Sequence, residues 1–231
     1  MHILLAGHGK MAGAVINACN GKKIKITSYL HEDFDWSNKN WGKPVAIHFG
    51  SGKQLNALID TCEALWEHIT IPIIQCSTKL PTPVPTGRNV VIINAPNAAL
   101  PMIRLITAFP GFIEKIRAGM EIGIIESHQS TKADVSGTAR MLAKLIGVPE
   151  DKIKSLRTHD MQLAFGVPQE HLGWHAYHKF ILVGDGVKIT LTTEIHGGNA
   201  YAQGALTLAE GLIKTPLNPG IHELKDVIDL I

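Results

Sequence analysis

Apolar residues fall at two spacings along the first hundred positions, and the two alternate. His2-Ile-Leu-Leu-Ala6 is a short apolar run of strand character, punctuated by Gly7-His8-Gly9. Lys10 to Asn20 carries its apolar residues at helical spacing until Gly21 ends the segment. Ile24 to Leu30 alternates as a second strand, and His31 to Lys43 is a polar loop holding two tryptophans. Pro44 to Phe49 reads as a third strand. Gln54 to His68 reads as a helix with apolar Leu55, Leu58, Ile59, Cys62 and Leu65, and Ile69 to Gln75 as a fourth strand. Pro81, Pro83 and Pro85 exclude regular structure until Asn89 to Ile93, a fifth strand. This alternation predicts an α/β fold with a parallel, doubly wound, Rossmann-like sheet.

The texture changes after Pro96-Asn97. Leu100 to Ala118 reads as a helical segment interrupted or bent at Pro110-Gly111, Met120 to Glu126 as a strand running into a polar loop, and Gly137 to Ile146 as a helix. His178 to Val183 and Val187 to Ile195 flank Gly184-Asp185-Gly186, a strong hairpin signal. Antiparallel strands here predict a second, α+β domain inserted in the first. Ala202 to Lys214 and Glu223 to Ile231 read as helical. The predicted organisation is a dinucleotide-binding domain over 1–98 and 204–231 and a substrate-binding and oligomerisation domain over 99–203.

Composition changes this picture little. Of 231 residues, 45% are hydrophobic and 18% charged, an ordinary globular balance with room for a proper core. The net charge is +2 and the cations are scattered, so nucleic acid gets no electrostatic support as a partner. Cys19, Cys62 and Cys76 are odd in number and far apart, which suits reduced thiols in a cytosolic protein. The apolar start is too short for a signal peptide, and no segment reaches the roughly 18 apolar residues of a membrane span. A cytoplasmic protein without membrane partners is expected.

Candidate chemistry begins at Gly7-His8-Gly9-Lys10-Met11-Ala12, which fits G-x-G-x-x-G/A between the first strand and first helix. The first glycine permits the turn, the second lets a pyrophosphate approach the backbone, and the small Ala12 lets helix pack on strand. A bare structural glycine turn is the bland alternative. Glu32 or Asp33, after strand two, can accept from ribose hydroxyls; equally, both are solvated loop charges. His31 is compatible with a 2′-phosphate, so NADH and NADPH both remain open.

A denser signal is Glu126-Ser-His128-Gln129-Ser-Thr-Lys132-Ala-Asp134-Val-Ser136-Gly137-Thr138-Ala139. His128 suits a general acid near neutral pH, and Lys132 adds a cation beside it. The Gly137 and Thr138 N–H groups offer an anion cradle at a helix start. The bland alternative is a polar loop in which Ser136 only caps the helix. His159, His171, His175 and His178 cluster in sequence without a ligand pattern, so no metal is expected. Trp36, Trp41, Trp66 and Trp174 read as packing residues.

The string from Glu126 to Ala139 resembles the active-site loop of the dihydrodipicolinate reductases, E-x-H-H-x-x-K-x-D-x-P-S-G-T-A. Gly9-Lys10-Met11 resembles the family's glycine turn and Ala95-Pro96-Asn97 its hinge. Gly166-Val-Pro168 with His171, Gly184-Asp-Gly186, the strand ending at His196 and Tyr201-Ala-Gln-Gly204-Ala205 resemble its later segments in order. The resemblance implies NAD(P)H-dependent reduction of 4-hydroxy-tetrahydrodipicolinate, a small cyclic dicarboxylate of diaminopimelate and lysine biosynthesis, by a homotetramer. It implies a catalytic pair His128 and Lys132 and substrate contacts at Gln129, Ser136, Gly137 and Thr138. Cofactor contacts are implied at Gly7, Gly9, Lys10, Met11, Phe49, Ser77, Thr78 and Asn97.

Departures from the pattern bear on substrate more than on fold. Gln129 stands where the family has a second histidine, and the proline before Ser-Gly-Thr is absent. Cys76-Ser77-Thr78-Lys79 replaces Gly-Thr-Thr-Gly, and the arginine expected near Gly197-Gly198 is missing. The alternatives are an NAD(P)-dependent dehydrogenase of another small carboxylate and a nucleotide-binding homologue without catalysis.

Overall fold

The computed structural model describes residues 1–28, 42–65, 70–77, 86–227 and 229. It divides into two compact units, one of Met1–Ile103 with Gly198–Ile231 and the other of Arg104–Gly197.

In the first unit, β1 (His2–Ala6), β2 (Lys25–Ser28), β3 (Pro44–His48), β4 (Ile73–Gln75), β5 (Val91–Asn94) and β10 (Gly220–Glu223) form one sheet in the order β10-β5-β4-β3-β1-β2. Every pairing in it is parallel. The residues of β1 and β3 are all buried, the mark of a sheet covered on both faces. One face, with Leu4, Ala46, Ile73 and Ile92, packs on Leu55, Leu58, Ile59 and Cys62 of α2 (Gly52–Ala64). α1 (Lys10–Cys19) buries Ala12, Val15, Ala18 and Cys19 and lies beside α6 (Asn199–Lys214), which contacts β3 and β4.

α2 starts earlier than the apolar spacing alone predicts, because Ser51 and Gln54 form a reciprocal capping box. β10 is a correction at Glu223: Gly220–Glu223 pairs with β5 as an edge strand, and α7 (Leu224–Val227) follows, with the end of the expected helix lying partly outside the described residues. The Tyr29–Trp41 stretch, with His31, Glu32 and Asp33, lies outside the described residues, as do Trp66, Thr78 and the Pro81–Pro85 run.

The second unit is built on β6 (Glu121–His128), β7 (Ile153–Leu156), β8 (His175–Gly184) and β9 (Val187–His196), in the order β7-β6-β8-β9. β6 pairs parallel with β7 and antiparallel with β8, and β8 with β9. Asp185 and Gly186 carry φ of 51° and 75°, so the hairpin closes through a two-residue turn of the mirror-image kind that matches strand twist. Ile124 of β6 and Phe180 of β8 are opposite one another and buried, and Phe180 packs on Phe109 at 4.7 Å between ring centres.

Phe109 lies on α3 (Leu100–Ile116), which runs through Pro110 rather than breaking there. The reason is the burial of Ile106 and Phe109 before the proline and Ile113 after it, in one helical register. The missing proline N–H removes one rung and the packing tolerates it. α4 (Gly137–Leu145) follows β6, and α5 (His159–Phe165) follows β7. The apolar spacing alone predicts neither β7 nor α5.

Candidate active site

β6 carries the Glu126 and His128 side chains to one face of its sheet, two residues apart. His128 therefore stands on the last position of a strand, not in the loop that follows it. Its Nδ1 is 2.7 Å from Glu126 Oε2. A carboxylate only accepts, so Nδ1 holds the hydrogen, and Nε2 is the nitrogen left to exchange a proton.

Glu126 is fully buried, yet it is surrounded by donors. Arg157 meets it as a fork, with Nη2 to Oε1 at 2.5 Å and Nη1 to Oε2 at 3.1 Å. Ser155 donates its hydroxyl to Oε1 at 2.5 Å, and the Ser136 N–H points to the same oxygen at 3.4 Å. Burial alone pushes the carboxyl upward, but the hydrogen bonds from His128, Arg157 and Ser155 outweigh it and hold the pKa at about 2. Glu126 is thus an anion at any working pH.

The chain between His128 and Ser136 is pinned by the same arginine. Arg157 Nε donates to the Lys132 carbonyl at 2.8 Å and Nη2 to the Asp134 carbonyl at 2.9 Å. The Lys132 N–H closes a turn on the Gln129 carbonyl at 2.9 Å, and Gln162 of α5 donates to the His128 carbonyl at 2.6 Å. Lys132 Nζ lies 3.9 Å from Asp134 Oδ2.

Ser136 then caps α4, its hydroxyl accepting from Ala139 N–H at 3.4 Å. Gly137 and Thr138 form the first turn, the end of a helix that attracts negative charge. Ser136 Oγ also meets His178 Nε2 at 2.9 Å, and His178 Nδ1 meets Thr193 Oγ1 at 3.2 Å. Burial, helped by the nearby His128, drops His178 to about 3, so it is a neutral spacer under the cap. His175 is buried as well, its Nδ1 donating to the His171 carbonyl and its Nε2 meeting Ser127 Oγ at 2.8 Å. These histidines serve the core; among the described residues no three His, Cys, Asp or Glu side chains are grouped to hold a metal.

In the first unit the strand order reverses direction of growth at β1 and β3, and the ends of those strands carry Gly7 and Phe49. Crevices at such a reversal are where open parallel sheets bind ligands. Gly7 has φ +127°, and a Cβ there would meet the Phe49 carbonyl carbon at 3.2 Å and Gly50 N at 3.3 Å. Gly9 is the N-cap of α1, with no side-chain cap, no acid in the first turn, and open space where a Cβ would go. A bare helix start beside a close backbone crossing fits a pyrophosphate. Ser77 donates to the Gly50 carbonyl at 2.6 Å and joins the loop after β4 to the loop after β3. Asn97 is buried, its Oδ1 taking the Ala99 N–H at 3.1 Å at the entry to α3. Lys10 and Met11 are the first residues of α1.

Residues 102–228 match the family profile of the dihydrodipicolinate reductase C-terminus. The chain belongs to the dihydrodipicolinate reductase family. Among relatives of this family, a probable chloroplastic 4-hydroxy-tetrahydrodipicolinate reductase of rice (Oryza sativa subsp. japonica) is 33% identical over 131 residues, 53% of this chain. That match spans only 37% of the rice protein's length. A 4-hydroxy-tetrahydrodipicolinate reductase of Alkaliphilus oremlandii is 28% identical over 153 residues, 61% of each chain. The solved dipicolinate-bound dihydrodipicolinate reductase of Paenisporosarcina sp. TG-14 shares the fold with a TM-score of 0.63 at 15% identity, covering 100% of this chain and 99% of that one.

The structure thus gathers His128, Ser136 and the start of α4 around Glu126, with Lys132 on the loop between them. It adds Arg157, Ser155 and Gln162, which sequence reasoning missed, and His178, which the sequence offers only as one of a cluster of histidines. Ser155-Leu156-Arg157 ends the short alternating run from Ile153, and that run was the one local hint of a strand delivering a polar pair.

Proposed function

We propose that this chain is an NAD(P)H-dependent 4-hydroxy-tetrahydrodipicolinate reductase, forming tetrahydrodipicolinate on the route to diaminopimelate and lysine. The carrying observation is the Glu126–His128 pair, which fixes one ring nitrogen and leaves Nε2 as proton donor, with Glu126 also taking the N–H of Ser136 at a helix start suited to a carboxylate. The bound nicotinamide supplies the hydride; the protein supplies the proton, the anchoring and the polarity. His128 Nε2 gives the proton that neutralises the reduced centre. Lys132 holds a substrate charge, and Ser136, Gly137, Thr138 and Gln129 grip the carboxylates.

Gly7, Gly9, Lys10, Met11, Phe49, Ser77, Thr78 and Asn97 are assigned to the cofactor, either NADH or NADPH. In this reading the first unit is the nucleotide domain, and the second serves substrate and assembly. Exposed Val183 and Val187 and the open edge of β9 support a homo-oligomer, a tetramer by family; a monomer by light scattering at micromolar concentration would contradict it. No helix among the described residues is long and apolar enough to cross a membrane. Three buried, unpaired cysteines suit a reducing cytoplasm.

The test is a coupled assay with freshly generated substrate, following NADH and NADPH oxidation. His128→Gln lowers kcat by about 10²–10⁴-fold, the usual worth of a general acid, with cofactor affinity unchanged. Lys132→Ala lowers kcat/KM and weakens dicarboxylate analogues. Wild-type turnover that survives both substitutions rejects the reading, and tight cofactor binding without turnover favours the non-catalytic homologue.

A further inference from the structure

Arg157 spends every N–H it has inside one small region. Two go to the two oxygens of Glu126, and the others to the carbonyls of Lys132, Asp134 and Leu156. A guanidinium has five such donors, so none is left for a ligand. The residue cannot bind substrate without breaking this set, and its role is therefore indirect.

The charges around His128 define that role. Glu126 faces it from β6, at 2.7 Å. Arg157, just past the end of β7, holds both oxygens of the same carboxylate. From β8 come His178, edge-on with ring centres 5.4 Å apart, and His175, both neutral by burial. Lys132 and Asp134 stand on the following loop as a pair of opposite sign, and Gln162 of α5 adds an uncharged amide. Among the described residues, the carboxylate bonded to the imidazole is shared with a cation that holds it at both oxygens.

We propose that Arg157 is a positioning residue that takes up the Glu126 charge, so that His128 is oriented by the carboxylate without being locked in the protonated state by it. A lone buried carboxylate beside an imidazole would keep the proton, and the ring would then donate poorly. With the guanidinium on its other edge, the carboxylate still fixes the Nδ1–H but holds the Nε2 proton less strongly. The same guanidinium ties down the Lys132–Asp134 backbone, so the orientation of the ring and the position of the lysine are set together. For its effect on turnover this rests on His128 being the proton donor; the ring's titration does not depend on that reading.

The experiment follows the His128 ring by carbon-detected or proton–carbon NMR across a pH series in the free protein, the signal being assigned by its loss in His128→Gln. Arg157→Gln is expected to move the ring's titration midpoint upward by about one pH unit or more, the size of a close charge effect. Arg157→Lys, which keeps the charge, is expected to stay near wild type. Glu126→Gln is expected to move it downward. In the reductase assay the fall of kcat at high pH should shift upward in Arg157→Gln by the same amount, and Arg157→Lys should raise KM more than it changes that profile. A folded Arg157→Gln protein with an unmoved midpoint overturns the proposal. Should that variant fail to fold, an unmoved midpoint in Glu126→Gln overturns it instead. If wild type reduces nothing, the reductase reading fails while the ring titration still judges Arg157.

Discussion

His178 in β8 and Ser136 at the start of α4 are joined side chain to side chain across 2.9 Å of buried space. Ser136 is at once a helix cap and a hydrogen-bond partner of the imidazole, and Thr193 holds the ring's other nitrogen. His178→Phe removes both ring nitrogens and leaves two hydroxyls short of a partner. We expect a loss of about 1–3 kcal/mol in unfolding free energy, the cost of stranding buried polar groups. Urea unfolding measures it, and a change within about 0.5 kcal/mol, the usual range of surface substitutions, would show the contact to be incidental.

Acid should unfold the protein well before its carboxylates are all neutral. Burial lowers His48 to about 4 and His178 to about 3, although a backbone bond to Ser51 partly offsets the first. In the unfolded chain both return to about 6.5. Between these values the unfolded state binds more protons than the folded one, so stability is full above about pH 6.5 and falls as the pH drops toward 4. His48 alone accounts for about 3 kcal/mol over that window. Glu126, held at about 2, adds a second loss below about pH 4.5. A melting temperature unchanged from pH 7 to about pH 4.5 would contradict this account.

What the sequence disclosed, and what it hid, follows the range of the interactions. β1, β3, α1 and the β8–β9 hairpin rest on local spacing and on Asp185-Gly186, and all were legible. The start of α2 was not, because the apolar spacing places it at Gln54, and the Ser51–Gln54 capping box that begins the helix lies ahead of the apolar run. β10 has four residues and exists because β5 offers an edge, so nothing local announces it. The string from Glu126 to Ala139 could be read as a unit, but the arginine that holds both oxygens of its acid, Arg157, lies thirty-one positions away. A partner fixed by strand pairing has no signature at short range.

Gly204 sits inside α6, where a glycine costs helix stability, so its reason must be packing. A Cβ there would overlap the carbonyl of Ala98, with Leu100 N at 3.2 Å. Both sides of the contact are backbone and cannot swing away. Gly204→Ala should therefore destabilise the protein by about 1–3 kcal/mol despite alanine's better helix propensity, as overpacking does. Thermal unfolding decides it: a higher melting temperature in the alanine variant would mean that α6 and the Ala98 segment are not so closely set.

The two glycines of the first turn should fail in different ways. Gly7 has φ +127° and abuts Phe49 and Gly50, so Gly7→Ala strains the backbone and presses on the next crossing strand's end. A loss of about 1–3 kcal/mol is expected from the backbone conformation alone, together with weaker NAD(P)H binding. Gly9 has ordinary φ of −84° and open space at its Cβ position. Aspartate is a better N-cap than glycine, so Gly9→Asp should leave stability unchanged or raise it by about a few tenths of a kcal/mol. The same carboxylate would stand where the proposed cofactor's phosphates would approach the start of α1, and affinity for NADH and NADPH should fall at least about tenfold, or about 1.4 kcal/mol. Calorimetric titration beside thermal unfolding separates the two effects. Gly9→Asp protein that is as stable as wild type and binds the cofactor equally well would remove the nucleotide from this turn.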